Sequence, residues 1–127
     1  MSETLRISGE LTSKPLSGNP SGQANTVIPI DESMGIGLPL YTSLVLNTDA
    51  VQSINMGTLA SVNTLLIRSI GGKVRVRITS ADGSTQSIPC DPIMFLMSRS
   101  VDITALDIMR VPGVQTQVLI YMGQKDA

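Results

Sequence analysis

Few side chains in this chain are suited to chemistry. It contains no histidine, one cysteine (Cys90) and ten carboxylates, Glu3, Glu10, Asp31, Glu32, Asp49, Asp82, Asp91, Asp102, Asp107 and Asp126. Histidine and cysteine carry much of the general acid–base, nucleophilic and metal-binding chemistry of proteins, so their scarcity points away from catalysis. The carboxylates fall mostly in turn-forming or outward strand positions, and with no tryptophan the common sugar-stacking platform is missing. Asp31-Glu32 lacks the oxygen-rich spacing of an EF-hand loop. Gly71-Gly72-Lys73 lacks the spaced glycines and the following Ser/Thr of a phosphate loop. Cys90, alone, rules out an intramolecular disulfide framework and reads as a small, semi-buried residue. The expectation is a non-enzymatic protein with no catalytic, cofactor or metal site.

The residues that could bind a partner are of other kinds. Arg68, Lys73, Arg75 and Arg77 hold four of the nine Lys/Arg residues, and no basic residue lies between Lys14 and Arg68. Such a cluster reads either as a solvated sheet face or as a patch that docks on an acidic protein surface. No aromatic residue is interleaved with these charges and the formal net charge is only −1, so nucleic acid is not expected as a partner. Apolar candidates lie at both ends of the chain. Leu5 with Ile7, and Val27, Ile28 and Ile30, form two islands able to pair as extended strands with a neighbour. Leu119 and Tyr121 occupy the outward face of a strand whose inward face is also apolar. They must lie under a loop or the N-terminal arm, or against a second subunit.

The elements that hold these residues divide at Pro39. From Ser8 to Gly37 the chain is crowded with Gly9, Pro15, Gly18, Pro20, Gly22, Pro29, Gly35 and Gly37, a spacing no helix survives. Residues 1–39 therefore read as an extended arm, ordered by itself or by a partner, and residues 40–127 as an all-β body. In the body, short runs bounded by turn residues recur every 8 to 12 positions. Tyr41–Asn47 and Val51–Met56 are the first two, and Thr64–Ile70 is apolar enough to be covered on both faces. Lys73–Thr79 alternates strictly, with Val74, Val76 and Ile78 inward, and Asp82-Gly83 suits a tight turn to Thr85–Ile88. Ile93–Met97, Val101–Met109 and Thr116–Met122 complete the set, with a phase change near Ala105 that calls for a bulge. Leu59–Asn63 could form one helical turn. About eight short strands favour an antiparallel sandwich, most economically a jelly roll.

At 127 residues with 42 % apolar composition, the chain can bury one core, though with only three aromatic residues that core is thin and oligomer formation would supplement it. The start MSETLRIS has neither the basic nor the apolar region of a secretory signal, and no apolar run approaches the roughly 18 residues needed to span a bilayer. A membrane partner is not expected.

Three stretches carry a resemblance to a known group: Ile78-Thr79-Ser80-Ala81-Asp82-Gly83-Ser84-Thr85-Gln86-Ser87-Ile88-Pro89, Ile103-Thr104-Ala105-Leu106-Asp107-Ile108, and Val118-Leu119-Ile120-Tyr121-Met122-Gly123. Together with the turn-rich texture of residues 40 to 124, they make the body resemble the small structural proteins of tailed-bacteriophage virions, especially capsid decoration or cement proteins. The resemblance implies a β-sandwich or jelly roll, often a homotrimer, whose arm reaches neighbouring subunits or the major capsid protein to stabilise the shell. The location implied is the capsid surface, after synthesis in the host cytoplasm. Tail, baseplate and head–tail joining proteins share the texture and form the alternative; a small enzyme or sugar-binding module is a third reading.

Overall fold

A computed structural model describes residues 3–13 and 25–126, with side chains for 3–10 and 28–126. Nine strands and no helix occur among them: β1 (Glu3–Ser13), β2 (Asn25–Leu46), β3 (Gln52–Ser53), β4 (Thr64–Ile70), β5 (Val74–Ser80), β6 (Thr85–Cys90), β7 (Ile93–Met97), β8 (Ile103–Arg110) and β9 (Thr116–Lys125). They form two antiparallel sheets, ordered β1-β2-β9-β4-β7 and β3-β8-β5-β6. The nesting is that of a jelly roll: the β5–β6 hairpin is followed outward by the pairs β4/β7, β3/β8 and β2/β9, which fall alternately in the two facing sheets.

The inner faces supply the core. Val74, Val76 and Ile78 of β5 are buried as their alternation requires, against Leu65 and Ile67 of β4 and Val118, Ile120 and Met122 of β9. No aromatic residue belongs to this cluster. The β5–β6 turn is held by Asp82, whose Oδ1 accepts from the Ser84 amide at 2.9 Å, while Gly83 takes φ +88°. In β8 the register slips where Thr79 faces Ala105 and Ser80 faces Ile103, so Thr104 is the extra residue. That bulge returns Leu106 and Ile108 to the inner face, next to the expected position.

Three expectations about the body change. Thr64–Ile70 is not covered on both faces: Leu65, Ile67 and Ser69 are buried, whereas Leu66, Arg68 and Ile70 are exposed, because a two-layer sandwich has no third layer to cover its outer side. Val51–Met56 shrinks to the two-residue β3. There the Asn55 side chain accepts from the Gly57 amide at 2.8 Å, Gly57 bends at φ +61°, and a turn from Met56 to Leu59 replaces the helical turn entertained for Leu59–Asn63.

The N-terminal segment forms a hairpin. β1 pairs with the first half of β2 from Glu3↔Ile36 to Ser13↔Asn25, and the second half of β2 pairs with β9 from Ile36↔Lys125 to Leu46↔Thr116. One continuous strand therefore belongs to both arm and body, and the boundary expected at Pro39 falls inside it. A bulge at Gly37 bends β2 where the two halves meet.

Candidate interaction surface

The register places the exposed apolar side chains in rows across the outer face of the five-stranded sheet. Tyr41, Tyr121, Leu66 and Phe95 are successive cross-strand neighbours on β2, β9, β4 and β7. The next row is Ser43, Leu119, Arg68 and Ile93, and the third is Val45, Gln117 and Ile70. Tyr41 is 73 % exposed, Ile93 58 % and Phe95 41 %. All three aromatic residues of the chain lie on this face. A shallow groove of about 530 Å³ runs along it, lined by Tyr41, Leu66, Arg68, Leu119 and Tyr121. Contiguous apolar surface of this kind is uncommon on a small domain that stays by itself in water.

Of the pair Leu119 and Tyr121, the structure covers only one. Tyr121 is 9 % exposed, with its ring 4.9 Å from that of Tyr41. Its hydroxyl has no hydrogen-bond partner among the described residues. Burial pushes its phenol pKa up, with smaller contributions from Tyr41 and Glu3. Over the adjacent Gly123 the Ile36 side chain and the Tyr121 hydroxyl close so tightly that an added methyl would sit 3.2 Å from Ile36 and 3.3 Å from the hydroxyl. Leu119, one row further down, remains exposed.

Ile36 belongs to the hairpin root, which crosses the upper end of this same face. Ile36 and Met34 are buried yet stand outside the sandwich core, Met34 meeting the Thr64 hydroxyl at 3.5 Å. The Asp126 amide donates to the Gly35 carbonyl at 2.9 Å, and the Arg99 guanidinium donates to the Ser33 carbonyl and lies 3.6 Å from Glu32.

Beyond this root the hairpin is amphipathic. Leu5, Ile7, Ile30 and Ile28 share a face with Glu32 and Met34, because Leu5 opposes Met34, Ile7 opposes Glu32, Gly9 opposes Ile30 and Leu11 opposes Ile28. Arg6, Ser8, Asp31 and Ser33 share the other, where Arg6 donates to Asp31 at 3.1 Å. The two apolar islands thus pair with each other's strands within one chain. Ile28 and Ile30 remain exposed; the Val27 side chain lies outside the described residues.

The basic cluster is divided. β4 and β5 lie in different sheets, so Arg68 projects from one outer face of the sandwich and Arg75 and Arg77 from the opposite one, with Lys73 at the β4–β5 turn. Arg77 is bound to Asp107 at 2.7 Å; this bond, and a second from Ser53, hold the Asp107 carboxyl below its ordinary range. Proximity in sequence, across a three-residue turn, is not proximity in space when the turn carries the chain from one layer to the other.

Other chemistry is sparse. Among the described residues no group of three Cys, Asp or Glu could hold a metal ion. A cleft of about 490 Å³ opens between β6 and β7 with Ile78, Ile88, Met94 and Leu96 at its floor. Of its two carboxylates, Asp82 is lowered in pKa by hydrogen bonds from Ser84, and Asp102 accepts from the Asn63 amide at 2.7 Å. Cys90 is buried, and loss of hydration pushes its thiol pKa up. Among the described residues no helix is long and apolar enough to cross a membrane.

Sequence reasoning missed two features. The exposed patch extends to Tyr41, Leu66, Ile70, Ile93 and Phe95, and its signal was the two-sided apolar character of Thr64–Ile70 and Ile93–Met97. Asn63, which ties four strand ends together, had no signal at all. No family model, curated protein or solved structure matches the chain.

Proposed function

We propose that this chain is a non-enzymatic structural protein of a tailed-phage virion that decorates and stabilises the capsid shell, with the major capsid protein and copies of itself as partners. The observation that carries the reading is the pair of unpartnered apolar surfaces, the hairpin face and the outer face of the five-stranded sheet, on a jelly-roll body. Such a chain is built to be covered by protein. The opposite face of the sandwich, with Arg75 exposed and Arg77 partly neutralised by Asp107, is the side proposed to meet an acidic shell surface.

The test is the abundance of the chain in purified particles of the phage that encodes it, together with co-sedimentation of the isolated protein on shells that lack it. Abundance comparable with that of the major capsid protein, and binding that weakens with salt and on Arg75→Glu, are expected. A ring's worth of copies confined to the tail or neck would move the protein to the joining and tail components. Absence from particles would refute the reading.

A further inference from the structure

We propose that the outer face of the five-stranded sheet is covered by the N-terminal hairpin of a second copy of this chain, with Arg68 on the face opposite Glu32 on the incoming hairpin. Both surfaces are on the molecule and neither is satisfied by its own chain. The face carries Leu66, Ile70, Ile93, Phe95 and Leu119, all exposed, around one charge, Arg68. No hydrogen bond or ion pair engages Arg68 among the described residues. Its neighbours across the sheet are Leu119 and Ile93, so a cation stands in the middle of an apolar surface without a counter-ion.

The hairpin presents the complement. Its apolar face carries Leu5, Ile7, Ile28 and Ile30 around Glu32, whose own-chain partner Arg99 is 3.6 Å away in a pair more than half exposed on both sides. A surface pair of that kind contributes little and can be exchanged. The packing mode already exists within one chain, where Met34 and Ile36, on the same hairpin face, lie over Thr64 and Gly123 of the same sheet face. The hairpin leaves the sheet at that end, past Lys125, whereas Arg68, Leu119 and Ile93 lie toward the other end. A chain therefore does not cover its own patch in this structure, and Ile28 and Ile30 extend beyond the body.

The dimensions agree. Nine residues of paired strand make a hairpin face of about 30 Å by 10 Å, and three rows across four strands make a receiving face of about 20 Å by 19 Å. Strands aligned face to face place only about 20 Å of the hairpin's length on the face, so each covering removes roughly 200 Å² from the hairpin and a similar area from the face. A reciprocal pair removes about 800 Å², the size of a weak, transient association. Strands packed face to face run within about 30° of one another. With Glu32 opposite Arg68, the residue beside Glu32 on the hairpin, Ile7, must then meet one of the residues beside Arg68, Leu119 or Ile93.

This inference rests on the assembly reading above only in treating the protein as self-associating, and the purified full-length chain tests it without capsids. Light scattering coupled to size exclusion should show an oligomer, and Arg68→Glu should weaken association at least about tenfold, with circular dichroism unchanged. Adding Glu32→Arg to Arg68→Glu should restore it. Mixing an Ile7→Cys chain with a Leu119→Cys chain, and separately with an Ile93→Cys chain, should give a disulfide-linked heterodimer under mild oxidation in one of the two mixtures. A monomer at every concentration overturns the inference while leaving capsid binding to be judged by itself. An oligomer that yields neither cross-link, or that ignores the charge reversal, overturns it by placing self-association elsewhere.

Discussion

Replacing Ile36 with alanine should release the hairpin from the body without unfolding the body. Ile36 is fully buried, yet it packs over Gly123 on the outer face and not among the side chains of the sandwich core. Removing most of a buried isoleucine costs about 2–5 kcal/mol, and a value near the middle, about 3 kcal/mol, suits a site closed on only one side by the body. If the hairpin root is its own cooperative unit, that loss falls on local opening and not on global unfolding. Amides of residues 3–10 and 28–36 should then exchange roughly 100-fold faster, at tenfold per 1.4 kcal/mol, while those of β4 and β9 keep their protection. Hydrogen exchange followed by mass spectrometry on peptides from each strand separates the two cases. The thermal midpoint provides a second check, since the same loss spread over the whole domain would lower it by roughly 10–20 °C. A large fall in the midpoint with uniform loss of protection would refute the division between core and hairpin root; unchanged exchange in the hairpin would refute the anchoring role of Ile36.

Asn63 and Asp107 supply two further tests. Asn63 is buried and donates to the Val101 carbonyl at 2.9 Å and to Asp102 at 2.7 Å, while accepting from the Lys125 amide at 3.0 Å. Asn63→Ala should cost about 3 kcal/mol in urea unfolding with little change in slope, and a loss below about 1 kcal/mol would show that water replaces the amide. Asp107 is held below its ordinary carboxylate pKa of 3.8, first by the Arg77 hydrogen bonds and then by Ser53. Its folded pKa is depressed, so its contribution is complete above the unfolded value and is lost as pH falls through the folded one. Asp107→Asn should therefore flatten the stability profile below about pH 4 and leave its shape near neutrality unchanged, as read by thermal midpoints across pH; an acid limb identical to that of the unmodified protein would remove Asp107 from the account.

The sequence by itself determined the all-β class of fold, because that rests on local chemistry. Strict alternation in Val74–Ile78, the Asp82-Gly83 turn, and the phase change between Ile103 and Leu106 each depend on a few neighbouring residues, and each reappears at or beside its expected place. The apolar surplus at Leu119 and Tyr121 was legible in the same way as a strand with two apolar faces. What local chemistry could not supply was the assignment of strands to layers. Only the alternation of β4 and β5 between sheets separates Arg68 from Arg75 and Arg77, and only the register of β2 and β4 with β9, and of β7 with β4, gathers Tyr41, Leu66, Phe95, Ile93 and Leu119 onto one face. Asn63 becomes a hub because β4, β8 and β9 bring distant ends to one point, a contact spanning 38 to 62 residues of chain. The Gly- and Pro-rich opening excluded a helix, but a hairpin that is polar on one face and apolar on the other emerges only once Leu5 is set opposite Met34 and Ile7 opposite Glu32. Pairing register is a long-range choice made by the burial of whole faces, and a shift of one residue would have turned every one of these side chains to the other side.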